Sequence, residues 1–583
     1  MQCFCLALAQ GRPAFDLVAR PRSHTFEPVA RLRAHQAILA SCGLLAAAQR
    51  IAVLCPRPEA VLSRYGSDDM FYYTEVARHI AKGQGVSFDG VHPTSGVQPL
   101  WALLLVPWAP LFEGHPSLAL KIDLALVTLL TLAAGCLMPR LVDALLRHEP
   151  AHRALGDAHI RALGTLAGCA WLLHPRVLGV TFEGTEGALA ALCWQVSILA
   201  WSRERRESGS LRLGVALGIG TLARIDHLAL AGAFLAWPGR CRRSVRRSMA
   251  ILLPLGLLWG SWLMVCLHTT GSVVPDSGAA KRLAHGPYLA VLLHGSTDGA
   301  GGWAALFDPL RVTAATLRDT VSHLFRAGAH VSRFSMVAAA AMAVSLALAA
   351  KRGADENAQR TWRDAVMQVT PTTTAAFRAL WPAVLAAASA LLAYAVVLHH
   401  VRGWYTIPGQ LVLTLVASAL CFDAAAAVRG AWDLASRPRL LAFTCALWMG
   451  AIWTEELSVR PRSWQPSYVA TARKLVAITP AGARIGAFNS GILGAFASEE
   501  GRRVINLDGV VNHSALLANE ARTLTAYITN EGIEFLADFS GTIEVSEKMG
   551  APGLAARLEL VEAVPTEIHP GESLGIWRVR PSH

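Results

Sequence analysis

The chain of 583 residues is 53% hydrophobic and only 16% charged, with a net charge of +12 and a mean hydropathy of +0.38. Soluble domains carry about a quarter charged residues, so this composition excludes an ordinary soluble globular chain and points to a membrane. The positive balance does not argue for nucleic acid, because the basic residues form short clusters between apolar runs, as cytoplasmic loops do. The 11 cysteines are scattered mostly in apolar runs without a CxxC pair, which gives neither a disulfide framework nor a zinc site.

Residues 1–35 read as a cytoplasmic lead-in carrying Arg20, Arg22, Arg31 and Arg33. The opening "MQCFCLALAQ" is too short for a signal-peptide core and lacks a basic leader. Gln36–Leu54 is a first span directed outward, so the stretch 55–117 is an external loop. Leu118–Met138 returns to a loop with Arg140, Arg147, Arg153 and Arg161. Residues 162–174 go out, and 185–201 come back to "RERR" at 203–206. Residues 211–223 go out, and 228–237 return to "RCRRSVRR" at 240–247. Residues 251–267 lead to a long external loop, 268–332, and 334–350 return to Lys351 and Arg352. Residues 378–398, 408–424 and 438–454 complete about eleven spans in a membrane domain over 36–456. This path puts the N-terminus in the cytoplasm and the C-terminus outside, in a multi-pass membrane protein.

Two decisions in this path rest on energetics. Residues 211–237 as one helix would bury Arg224 and Asp226 in hydrocarbon, at a cost of several kcal/mol, and would put "RCRRSVRR" outside. Two short helices meeting at "ARIDH" avoid both. "QPLWALLLVPW" at 98–108 is short and bounded by prolines, and reads as an interfacial helix. Beyond Leu457 the pattern changes. "RIGAFN", "RVINLDG", "IEFLADF" and "LGIWRV" read as strands, with "PSYVATARKLVAI" and "SALLANEARTLTAYITNEG" as helices between them. That alternation predicts a small external α/β domain over 457–583. Its "GAFNSGILGAF" lacks the dinucleotide-binding spacing, and the sequence assigns the domain no chemistry.

The most specific signal lies in the first external loop: "YGSDDMFYYTEVARHIAKGQGVSFDGVHPTSGVQPLW", Tyr65–Trp101. Its local reading is a juxtamembrane helix over 68–82, capped by Ser67, with Asp68 and Asp69 favoured by the helix dipole and Gly83 and Gly85 as its stop. As a whole the stretch resembles the first external loop of the GT-C superfamily, polytopic glycosyltransferases that use polyprenyl-phosphate sugars. The nearest likeness is to the protein O-mannosyltransferase and lipid A aminoarabinose transferase groups. Weaker likenesses follow in "LLHPRVLGVTFEGTEGAL", "LARIDHLAL", "VPDSGAAK", "RGWYTIP" and "RIGAFNSGILGAF…VINLDGVVN". "ARIDH" departs from the pattern, since related proteins carry Pro after that Arg.

The resemblance implies a GT-C-like, α-helical polytopic fold and a hexosyltransferase activity: a sugar moves from a polyprenyl-phosphate donor to a hydroxyl on a lipid, glycan or protein acceptor, among membrane lipids and without nucleic acid. Such chemistry needs a base near the acceptor hydroxyl and cations near the departing phosphate. Asp68 is the first candidate base and Asp69 the second, because adjacent carboxylates raise each other's pKa. Glu186, near Glu183, resembles a second acidic position of the family. Arg224, Lys281 and Arg402 are the phosphate candidates, with Asp226, Tyr72, Tyr73, His92 and Tyr405 as further substrate contacts. Each also has a plain structural reading as a cap, an interfacial anchor or a loop residue. A divalent metal between the two aspartates is possible chemistry, as in oligosaccharyltransferase relatives, but two carboxylates without a nearby His do not define a metal site. The competing readings are a lipid or sugar transporter or flippase, which calls for mid-span charges and repeated halves, and a non-catalytic GT-C-like assembly protein.

Overall fold

The computed structural model describes residues 27–147, 150–204, 207–237, 244–284, 371–394, 403–429, 464–498, 500–566 and 573–581. The expected spans 334–350 and 438–454 lie outside them, as does Arg402. The described part is a bundle of helices carrying a five-stranded sheet built from the C-terminal residues.

Among the described residues, four helical segments are long and apolar enough to cross a membrane: Arg33–Leu54, Pro116–Leu146, Val245–Thr270 and Thr372–Ala393. Their outward faces are apolar as well, with Leu44, Leu129, Leu253, Leu257 and Met264 exposed. Hydrocarbon is the surrounding that such faces suit, and the chain is an integral membrane protein.

Side-chain bonds fix which helix ends lie together. At one end, Arg247 donates from Nε and Nη2 to the two Glu204 oxygens, both at 2.9 Å, and from Nη2 to the Phe234 carbonyl at 3.0 Å. Ser210 donates to the same Glu204, and the Trp201 indole donates to the Trp237 carbonyl at 3.0 Å. So the helix Glu207–Ala223 starts where His227–Ala236 finishes, and the two form a hairpin turning at Arg224–Asp226. One long helix over 211–237 is thereby excluded. At the same end Asp423 accepts the Thr373 N–H at 2.7 Å, closing the pair Pro371–Ala393 and Ile407–Arg429. Arg203, Arg246 and Arg247 lie at this basic end, and the C-terminal sheet packs at the other, the domain end.

The sheet has the order β2-β1-β3-β5-β4, with β1 Arg484–Ala487, β2 Arg503–Asn506, β3 Phe535–Phe539, β4 Leu558–Pro565 and β5 Ser573–Val579. β1 pairs in parallel with β2 and β3, while β5 runs antiparallel to β3 and β4. The expected strands are present. The single helix expected over 514–532 is two, His513–Glu520 and Leu524–Asn530, because the chain turns at Arg522 with φ +57°.

The first loop and the C-terminal residues share one apolar core. Met70, Phe71, Phe88 and Trp101 pack in the same cluster as Tyr468, Ile485, Val504 and Ile576. An Arg473–Glu59 ion pair joins the two regions at the surface. Burying such side chains is worth about 1.5–3 kcal/mol each, so the sheet is held against the loop by packing. The helix Pro99–Leu105 buries Trp101 and Leu105 in this core and exposes Leu103 and Leu104, the two-sided apolar character of an interfacial helix.

Candidate functional site

The helix Asp68–Ala81 starts and stops where the residues dictate, but not by the expected cap. Ser67 occupies the N-cap position, yet its hydroxyl donates to the Glu183 carbonyl at 3.0 Å instead of holding a helix amide. At the far end Lys82 closes the helix, and Gly83 and Gly85 adopt φ of +73° and +80°, which only glycine takes without strain.

The two aspartates have different roles. Asp68 is buried, and its Oδ2 and Oδ1 accept the backbone N–H groups of Gly491 at 3.0 Å and Ile492 at 2.7 Å. Beside it the Tyr72 hydroxyl accepts the Ser490 N–H at 3.4 Å. Gly491 has to be glycine, because a Cβ there would overlap the Asp68 backbone carbonyl. Burial pushes the Asp68 carboxyl up to about 7, helped by the Asp69 charge and opposed by the two amide donors. Asp68 thus spends both oxygens docking the C-terminal turn.

Asp69 is partly exposed and makes no hydrogen bond or ion pair among the described residues. Its charge acts on Asp68, Tyr72, Tyr73 and Asp508, which places it among them. Asp508 comes from the loop after β2, where its Oδ1 accepts the Val510 N–H at 2.9 Å. Burial raises the Asp508 carboxyl, and the Lys281 charge pulls it back. Lys281 stands on the helical stretch 276–284, partly exposed. Asp69 and Lys281, both partly exposed, therefore form a group around Asp508.

A second group is closed. Arg224 is 1% exposed, with its Nε 2.9 Å from Asp226 and a terminal nitrogen 3.6 Å from Glu186. Tyr73 donates to Glu186 at 2.7 Å, and Tyr394 donates to Asp226 at 3.4 Å. The guanidinium lies 4.8 Å from the Tyr405 ring centre, and Tyr405 stacks on Tyr394 at 4.5 Å. The sequence brought Glu186 forward as a catalytic carboxylate and Arg224, Asp226, Tyr73 and Tyr405 as substrate contacts; the structure brings these five together and has them engage one another.

His92 does not join either group. Its Nδ1 is 2.6 Å from Asp89 and its Nε2 3.3 Å from Glu531, so it bridges the first loop to the C-terminal domain. Burial lowers its pKa, but Asp89 and Glu531 outweigh that and leave it raised. Nearby, Asp276 accepts the Thr94 hydroxyl at 3.1 Å, the Ser95 N–H at 2.9 Å and His513 Nδ1 at 2.8 Å. The short sequences "HPTSG", "VPDSG" and "VVNH" thus meet at one buried carboxylate.

Asp508, Asp276 and Tyr394 are the participants that sequence reasoning missed. Asp508 had a signal in "VINLDGVVN", which was quoted for its likeness and given no role. As to a metal, no three His, Cys, Asp or Glu side chains gather among the described residues, and Asp68 has no oxygen free of an amide. That donor set does not fit a metal cage, and no step below is routed through one.

No family model matches the chain, and no curated protein does. Solved structures do match. ArnT from Cupriavidus metallidurans bound to undecaprenyl phosphate is 12% identical with a TM-score of 0.49, over 91% of this chain and 97% of that one. The archaeal oligosaccharyltransferase AglB from Archaeoglobus fulgidus, in complex with an inhibitory peptide and a dolichol-phosphate, is 11% identical with a TM-score of 0.44, over 93% of this chain and 75% of that one. The chemistry rests on the side chains described above.

Proposed function

We propose that this chain is a membrane glycosyltransferase that moves a sugar from a polyprenyl-phosphate donor to an acceptor hydroxyl at the domain end of the bundle. The observation that carries this reading is the partly exposed carboxylate of Asp69, unpartnered among the described residues, in a group that includes Lys281. Asp69 takes the proton of the acceptor hydroxyl as that oxygen forms its bond to the anomeric carbon. The bond from that carbon to the phosphate oxygen breaks, and the electron pair leaves with the lipid phosphate. Lys281 stabilises the departing charge, and a positioned base of this kind contributes about a hundred- to ten-thousandfold. Asp68, placed first by sequence, acts here as the anchor of the C-terminal turn.

The alternative reading, a transporter, calls for ionisable groups in the middle of spans. Asp123 is fully buried on the helix Pro116–Leu146 with neither oxygen hydrogen-bonded. It lies against Gly184, whose other neighbour is Met70 of the helix Asp68–Ala81, which keeps it at the domain end. The test is Asp69→Asn in purified protein, read as release of undecaprenyl phosphate from an undecaprenyl-phosphate hexose. Loss of at least about a hundredfold is expected, and turnover near that of the unaltered protein would reject the assignment.

A further inference from the structure

We infer that the turn 488–492 of the C-terminal domain is the positioning half of this catalytic site, with Asp538 the positioning residue that holds it. The inference rests on the proposed transferase reading and names what the C-terminal domain contributes to it.

Asp538 is the next-to-last residue of β3 and is fully buried. Its Oδ2 accepts the backbone N–H groups of Phe488 at 3.0 Å and Asn489 at 2.9 Å. Its Oδ1 accepts the Phe539 N–H at 2.8 Å, the Tyr468 hydroxyl at 2.8 Å and the Asn489 side-chain amide at 3.1 Å. A carboxylate with five donors is a rigid centre, since bonds to an ionised acceptor are shorter and stronger than neutral ones. Phe488 and Asn489 are the residues immediately before Ser490, Gly491 and Ile492, whose amides grip Tyr72 and Asp68. A second tie comes from Asn506, which donates to the Ser490 hydroxyl at 2.9 Å and accepts the Gly509 N–H at 3.0 Å, next to Asp508.

The chain of contacts therefore runs from Asp538 through the turn to Asp68, and Asp69 is the next residue on a helix that cannot shift unless Asp68 lets go. Both oxygens of Asp68 are committed, so the neighbouring carboxylate alone is left to face the group around Asp508. A base displaced by about 1 Å loses roughly a hundredfold in rate, so this rigidity acts on turnover. Lys281, assigned above to the donor phosphate, stands on a separate helix, 276–284.

The experiment compares Asp538→Asn, Gly491→Ala and Asp69→Asn in full-length detergent-solubilised protein, with circular dichroism confirming the folded fraction. Gly491→Ala acts outside the Asp538 network, by forcing the turn off the Asp68 carbonyl. Asp538→Asn and Gly491→Ala are expected to lower kcat per folded molecule about tenfold or more, leave undecaprenyl phosphate affinity within about twofold, and speed hydrogen exchange at the Gly491 and Ile492 amides. Asp69→Asn should abolish turnover without changing that exchange. If Asp69→Asn is inactive while both other variants keep kcat within about twofold, the positioning inference alone falls. If Asp69→Asn turns over normally, the base assignment falls and takes the inference with it.

Discussion

Two charged groups lie at the domain end of the helix bundle, built from similar residue types and opposite in state. Around Arg224, two carboxylates and two tyrosine rings close on one guanidinium, and the arginine is 1% exposed. Around Asp69, the carboxylate is partly exposed and unpartnered among the described residues, with Lys281 and Asp508 nearby. The difference teaches that position at a membrane boundary does not by itself make a charged residue a ligand. A buried charge needs partners, and once it has them it is a strut of the fold; a charge left with access is the one available to chemistry.

The largest expected contrast is between Asp69→Asn and Arg224→Gln. Asp69→Asn should cost at least about a hundredfold in turnover with an unchanged melting temperature. Arg224→Gln leaves Glu186 and Asp226 buried without their cation, which costs about 3–5 kcal/mol, so it should fail at the level of folded protein. An Arg224→Gln protein that melts normally and has lost only donor binding would erase the distinction between the two groups. Asp68→Asn falls between them. It presents an amide to the Gly491 and Ile492 N–H groups, removes two charge-assisted bonds of about 1.5–3 kcal/mol each, and should lower stability and turnover together. A stable, inactive Asp68→Asn would return Asp68 to the role of base.

Next in size is Lys281→Gln. One charge-assisted contact is worth about 1.5–3 kcal/mol, so undecaprenyl phosphate affinity should weaken roughly ten- to a hundredfold with the fold intact. Unchanged affinity would leave the group around Asp508 without its cation.

The parts of this comparison that the sequence could show are those set by local chemistry. Arginine clusters predicted which helix ends lie together, and the bonds from Glu204 to Arg247 and Ser210 bear that out. The break at Arg224–Asp226 followed from the cost of a charge in hydrocarbon. Which of the two adjacent aspartates has both oxygens bonded was not legible, because the partners of Asp68 are amides 423 and 424 residues away. The strand β4 was missed for a different reason. It is a mostly exposed edge strand, "LELVEAVP", whose apolar residues Leu560 and Val561 stay exposed, so no buried face imposed an alternation.

The smallest expected effect concerns the bridge that holds the two regions in register, and it titrates. His92 lies between Asp89 and Glu531, and its pKa is raised because their hydrogen bonds and charges outweigh the effect of burial. A histidine with a raised folded pKa contributes stability that is fully present below its unfolded value of about 6.5 and is lost as pH rises through the higher folded value. Stability should therefore fall as pH rises above about 6.5. With Glu531 partly exposed, the Glu531 contribution should be no more than about 0.5–1 kcal/mol. Glu531→Gln keeps the shape and removes one of the two charges, so it should shrink this pH-dependent drop while turnover per folded molecule stays unchanged. Chemical denaturation at two pH values on either side of the transition measures it. A Glu531→Gln protein with the same drop would mean that Asp89 alone holds the proton, and that the bridge to the C-terminal domain is a matter of shape, not charge.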